Sequence, residues 1–198
     1  MKVEIEVSNL YKTYGEIVVF NHYNCTFYSQ KYNCITGPSG MGKTTLLRML
    51  MGLEGYDRGE ITGIEGKRFS CVFQENRLLE NFTGLENINM VLGNKREEKE
   101  ILKEFENVGL YNSRHLPVYT YSGGMKRRLA IVRAILADYD IIVLDEPFKE
   151  LDEKTYLKCL DYFEEKTKGK TVILSTHNPY EMERFGDHKI DIESNIIQ

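Results

Sequence analysis

Nine consecutive residues constrain this chain more than any other stretch: Gly37-Pro38-Ser39-Gly40-Met41-Gly42-Lys43-Thr44-Thr45. They read G-x-x-x-x-G-K-[ST]. A short apolar run at 32–36 precedes them, and Leu46, Leu47, Met49 and Leu50 follow in a helix-like pattern. Strand, glycine loop and helix together form the context in which this pattern makes a phosphate cradle. Glycines let the backbone curl so that successive N–H groups point inward, and the helix start adds partial positive charge. Lys43 then reaches the β- and γ-phosphates, and the Thr44 hydroxyl ligates Mg²⁺. A glycine-rich turn that binds nothing is the plainer alternative, and the flanking strand and helix weigh against it. The stretch implies a bound nucleoside triphosphate.

The chain has 198 residues, which suits one domain or one domain with an inserted subdomain. At 41% hydrophobic residues it has the material for a substantial core. Its net charge of −4 argues against a nucleic-acid-coating surface. No apolar run approaches the ~20 residues needed to span a bilayer, and Met1-Lys2-Val3-Glu4 does not begin like a signal peptide. The four cysteines, Cys25, Cys34, Cys71 and Cys159, lack C-x-x-C spacing, so ordinary reduced thiols are expected.

Val3, Ile5 and Val7 alternate with Glu4 and Glu6, which predicts a half-buried strand. Further β-rich runs at 17–20, 23–28 and 32–36 build a mostly β layer that ends in the phosphate loop. Between the first two runs lies Tyr14, an aromatic able to stack on adenine. In a chain with 13 tyrosines, a half-buried structural ring is the commoner role. Residues 68–73 predict a buried strand followed by Gln74, whose amide could ligate Mg²⁺ or hold a water; by itself it reads as an exposed strand cap.

From Thr83 the period changes. Thr83-x-x-Glu86 is a capping-box pattern ahead of Ile88, Met90, Val91 and Leu92. A charged helix over 96–108 carries Ile101, Leu102, Phe105 and Val108, and the charged run 95–100 reads as a solvated face. Ser122-Gly123-Gly124 precedes another helix with Leu129, Ile131, Val132, Ile135 and Leu136; Ser122 can cap it and the glycines leave its first N–H groups bare. That is either a second anion site or a glycine-softened helix start.

Ile141, Ile142, Val143 and Leu144 form a run typical of a strand buried on both faces. Asp145 and Glu146 end it, one suited to a Mg²⁺ shell and the other to taking a proton from water. Asp152 predicts the cap of a helix running to Lys166. A second buried strand, 171–175, leads to His177, which shares the carboxyl edge where open α/β sheets bind ligands. A last strand over 189–193 and a short tail close the chain.

Taken in order, Tyr14, the loop 37–45, Gln74, Ser122-Gly123-Gly124, Leu144-Asp145-Glu146, Leu151-Asp152 and His177 resemble the motifs of the nucleotide-binding subunit of ABC transporters across nearly the whole chain. The resemblance implies an α/β fold of the P-loop NTPase, ABC ATPase type. Its mixed, mainly parallel core sheet would carry an N-terminal antiparallel β subdomain. A helical subdomain at about 78–138 would be inserted into a core of about 1–77 and 139–198. It also implies an ATPase working with Mg²⁺ as a head-to-tail homodimer or heterodimer. Each ATP would lie between one copy's phosphate loop and the other's Ser122, Gly123 and Gly124. Glu146 would polarise the attacking water, His177 would position it with the γ-phosphate, and Asp145, Thr44 and Gln74 would organise the metal. Transmembrane permease subunits would hold the chain at the inner face of the plasma membrane, on the cytoplasmic side, with no nucleic acid involved.

Residues 73–79 and 86–88 are similar to importer subunits of the nitrate, sulfonate and taurine type. Tyr121 and Met125 depart from the usual ends of the signature, and Lys149 and Glu150 stand where small residues are usual; an active, slow ATPase is expected. The 21 residues after His177 leave no room for an added regulatory domain. Two alternatives are a cytosolic non-transport ABC ATPase, such as one serving cofactor assembly, and a P-loop kinase for a small metabolite. The 47 residues between Gln74 and Ser122 are too few for the long coiled coil of the DNA-repair type.

Overall fold

The computed structural model describes residues 1–93 and 96–193. Part of the charged run 95–100 and the tail after 193 therefore lie outside the described residues. The chain divides into two compact units. One holds Met1–Phe69, Asp140–Asp145 and the residues from Gly169 on; the other holds Ser70–Tyr139 and Glu146–Lys168.

The first unit begins with an antiparallel sheet of order β2-β1-β4, made of β1 (Val3–Tyr14), β2 (Ile17–Tyr28) and β4 (Arg58–Thr62). Here β1 is longer than the alternation at Val3 to Val7 predicts, because the alternation slips and then resumes. Ile5 and Val7 face inward, and so does Leu10, three positions on from Val7. Asn9, at φ 49°, takes up the extra residue in a bulge, its N–H donating to Asn24 Oδ1 at 2.8 Å. Opposite it, Gly59 has φ 100°, and a Cβ there would meet Asn9 O at 2.5 Å. Likewise the two runs 17–20 and 23–28 form one strand, interrupted at His22, whose φ is 52°.

The same unit contains parallel strands in the order β6-β7-β3-β8: β6 (Ile141–Asp145), β7 (Thr171–Ser175), β3 (Tyr32–Thr36) and β8 (His188–Asp191). Every residue of β6 and β7 is buried, as expected for parallel strands covered on both faces. The register pairs Asp145 with Ser175 and Ser175 with Ile35, so the carboxyl ends of β6, β7 and β3 are level. Buried Asn33 secures the turn into β3: its amide donates to Tyr28 O at 3.0 Å and its Oδ1 accepts from Tyr28 N at 2.7 Å. Helix α1 (Lys43–Leu50) buries Leu46, Leu47, Met49 and Leu50, each contributing on the order of 1.5–3 kcal/mol.

The second unit is mainly helical. The strand β5 (Phe69–Val72) enters it. Then come α2 (Gly84–Leu92), α3 (Glu98–Asn107), α4 (Gly123–Leu136) and α5 (Glu153–Thr167). At the start of α2 the capping box is closed: Thr83 N donates to Glu86 Oε2 at 2.7 Å and Glu86 N to Thr83 Oγ1 at 3.2 Å. Helix α3 starts later than the predicted 96, and buries Ile101, Phe105 and also Glu104. Glu104 is held by Lys166 Nζ at 2.7 Å and by Asn107 Nδ2 at 3.1 Å. Asp152 caps α5 by accepting from Thr155 N at 3.1 Å. A short helix α6 (Pro179–Arg184) completes the first unit, capped by Asn178.

Candidate functional site

The phosphate loop runs from the end of β3 into α1. Gly37, Gly40 and Gly42 have φ of 134°, 83° and 92°, a region that L side chains rarely adopt. A Cβ at Gly37 would meet Ile192 Cγ2 at 2.5 Å, and one at Gly42 would meet Val19 Cγ1 at 2.6 Å. Helix α1 has no side-chain cap and no acidic residue in its first turn, so its first N–H groups are directed at the loop. Lys43 is 8% exposed and folds back over the curl, donating to Gly37 O at 2.7 Å and Pro38 O at 2.8 Å. A cation and a ring of N–H groups thus share one concave turn, a fit for the phosphates of a nucleotide.

Thr44 and Asp145, 101 residues apart, meet here: Thr44 Oγ1 donates to Asp145 Oδ2 at 2.6 Å. Ser175 Oγ donates to the other oxygen, Oδ1, at 2.6 Å. The level strand ends make this possible, since Asp145 ends β6 and Ser175 ends β7. Among the described residues, no group of three His, Cys, Asp or Glu side chains could hold a metal ion. A hydroxyl beside one carboxylate suits Mg²⁺ instead, which binds through one or two protein oxygens plus phosphates and keeps several waters.

His177 is exposed two residues after Ser175. Between them, Thr176 is buried, donating to Glu181 Oε2 at 2.5 Å and accepting from Asn178 N at 3.1 Å, which anchors the turn that carries the imidazole. Tyr14 stands 46% exposed at the end of β1. Its hydroxyl bonds Glu54, and Lys12 Nζ lies 4.8 Å from the ring centroid.

The remaining candidate residues belong to the second unit. Ser122 caps α4, its Oγ accepting from Met125 N at 3.3 Å. Tyr121 is buried and donates to Ser113 O at 2.6 Å, so the departure at that position is a packed ring with a satisfied hydroxyl. Glu150, at φ 67°, places Oε2 3.0 Å from where a Cβ on Gly123 would sit. Its carboxylate therefore lies against the glycine start of α4, where a helix favours negative charge.

Glu146, one peptide bond after Asp145, falls in the other unit. It is 6% exposed and sits at φ 50°, in the left-handed region that is costly for a non-glycine residue. Lys149 Nζ lies 3.6 Å from its Oε2. Gln74 is exposed just after β5.

Sequence reasoning missed Arg127 and Arg133. Both project from α4 onto the segment after β5: Arg127 Nη1 donates to Phe73 O at 2.6 Å, and Arg133 donates to Arg77 O at 2.8 Å and Asn76 O at 3.1 Å. A signal was available, because Arg127 falls in phase with the buried positions Ala130, Ile131 and Ala134. A charged side chain there has to find acceptors inside the protein.

Phosphate loop, level parallel strands and strand-end carboxylate define a nucleoside-triphosphate-binding α/β protein. A sequence profile of the ABC transporter family matches residues 20–149, and the chain belongs to that family. It is 31% identical to the phosphonates import ATP-binding protein of Fusobacterium nucleatum, over 100% of this chain and 92% of that protein. It is 32% identical to an aliphatic sulfonates import ATP-binding protein of Nocardia farcinica, over 96% of this chain and 78% of that one. Among solved structures it is similar to a dimeric bacterial ABC transporter cassette, with TM-score 0.82, 29% identity and coverage of 94% and 93% of the two chains. A dimeric post-hydrolysis cassette bound to ADP and Pi gives TM-score 0.83 at 28% identity, covering 94% of this chain and 93% of that one. The protein is an ATP-binding, ATP-hydrolysing subunit of an ABC transporter. No described helix is long and apolar enough to cross a membrane.

Proposed function

We propose that the chain hydrolyses Mg-ATP in a head-to-tail dimer and drives permease subunits that hold it at the inner face of the membrane. The observation that carries this reading is the joining of Thr44, Asp145 and Ser175 at the level ends of β3, β6 and β7, beside the loop that carries Lys43. Gly37, Pro38, Ser39, Gly40, Met41, Gly42, Lys43, Thr44 and Thr45 cradle the phosphates, and Tyr14 offers its half-exposed ring to the base. Thr44, Asp145 and Gln74 hold the metal, which when bound neutralises charge on the phosphate oxygens. Glu146 polarises the attacking water and His177 orients it with the γ-phosphate. Ser122, Gly123 and Gly124 meet the nucleotide bound by the partner copy, displacing the Glu150 carboxylate from the start of α4. Catalysis is then mostly positioning and charge stabilisation. The relatives named for phosphonate and sulfonate import and for lantibiotic transport support the permease partner.

The test is ATP turnover by wild type and Glu146→Gln, with size-exclusion chromatography in Mg-ATP. The reading expects a loss of about 100-fold or more in turnover and a nucleotide-dependent dimer for the variant. Equal turnover by the two proteins would remove Glu146 from its role. A variant that binds ATP yet stays monomeric, beside an active wild type, would remove the shared site.

A further inference from the structure

We propose that Arg127 is a positioning residue for ATP hydrolysis, binding the Gln74 segment and the Glu146 backbone into one unit. The proposal rests on the reading of Glu146 as the group that polarises water. Arg127 is 2% exposed. Its Nε donates to Pro147 O at 2.7 Å and its Nη2 to Glu146 O at 2.5 Å. From its other edge, Nη1 donates to Phe73 O at 2.6 Å, and to Gln74 O and Asn76 Oδ1, both at 3.3 Å. One planar fork therefore spans two segments that are far apart in sequence, and its rigidity fixes the distance between them.

Two further facts give this bridge a function beyond packing. A buried cation is costly to desolvate, and apolar replacements of buried ionic groups are often no less stable, so stability alone is a weak reason for an arginine here. Glu146 also sits at φ 50°, and such backbone persists only where its surroundings over-determine it. Arg127 supplies that constraint, gripping the Glu146 carbonyl directly and the next carbonyl as well. Released, the Glu146 backbone relaxes toward negative φ and its carboxylate swings from its aim. The same grip means that any displacement of residues 73–76 pulls on Glu146. The placement of residues 73–76 thereby sets the placement of the Glu146 carboxylate.

Arg127→Gln and Arg127→Lys test this beside Glu146→Gln and the double variant Arg127→Gln/Glu146→Gln. Lysine keeps charge and bulk but lacks the fork, so it guards against a variant that simply unfolds. With a cooperative thermal melt retained, the expected result is a kcat lower by about 10-fold or more with KM for ATP within about 3-fold. Single-turnover rates of the double variant should match those of Glu146→Gln alone, since Arg127 acts through Glu146. A folded Arg127 variant with wild-type kcat would overturn the proposal, as would a loss confined to KM or a full additional loss in the double variant. If Glu146→Gln itself turns over like wild type, the reading beneath the proposal has failed and the proposal falls with it. If Glu146→Gln is inactive while Arg127→Gln is normal, only the proposal has failed.

Discussion

Glycine 59 is a position where one added carbon meets the backbone of the neighbouring strand β1. Its φ is 100°, and a Cβ would lie 2.5 Å from Asn9 O and 2.7 Å from Leu10 Cα, atoms held in place by the β1 bulge. Gly59→Ala should therefore cost about 3 kcal/mol or more in urea unfolding; a cost under about 1 kcal/mol would mean that the bulge readily gives way. Glu104 tests the electrostatics. Burial pushes its pKa up, but the hydrogen bonds and charge of Lys166, with Tyr162 and Asn107 close by, outweigh this and leave it below the usual 4.5. The folded state then prefers the carboxylate, and the unfolded state takes up the proton first as pH falls. This contribution is complete above about pH 4.5 and disappears as pH falls through the lower folded value. Wild type should be more stable than Glu104→Gln at pH 7, and the gap should shrink near pH 4; a gap independent of pH would assign the effect to shape alone.

At the scale of elements, the helix starts differ in how they are closed, and the differences can be measured. Helix α2 has both halves of its capping box, so Thr83→Ala should lower stability by about 1 kcal/mol, seen as a lower urea midpoint with unchanged slope. An unchanged midpoint would show that the Thr83 side chain adds nothing to the helix start. That capping box was legible in four residues because capping is local chemistry. So were the buried strands of β6 and β7, whose apolar runs have only one reasonable fate in a parallel sheet. The β1 bulge was not legible, because the slip at Asn9 shows only once a partner strand sets the register. The meeting of Thr44 with Asp145 was equally hidden: motif spelling names the residues, while the level strand ends that join them are a property of the whole sheet. Arg127 was missed for a different reason. The acceptors named for it are mostly backbone carbonyls, which every residue carries and no motif spells.

Over the whole molecule, the chain order and the order of assembly run against each other. The strand that delivers the phosphate loop, β3, lies between β7 and β8, pairing Tyr32 with Val172 and Asn33 with His188. Both partners come from the last part of the chain, so β3 makes contacts of very high sequence separation and loop closure has to precede them. On a ribosome adding about 5–20 residues per second, β3 waits on the order of ten seconds or more after its own synthesis before either neighbour exists. The strands β1 and β2, joined by a tight turn, face no such delay. The nucleotide site is therefore spelled out early and built last. A chain cut short before β7 carries every letter of its phosphate loop and none of the sheet that gives the loop its shape. Nucleotide capture has to wait for β7 and β8, and the newborn protein cannot spend ATP until both strands have been made.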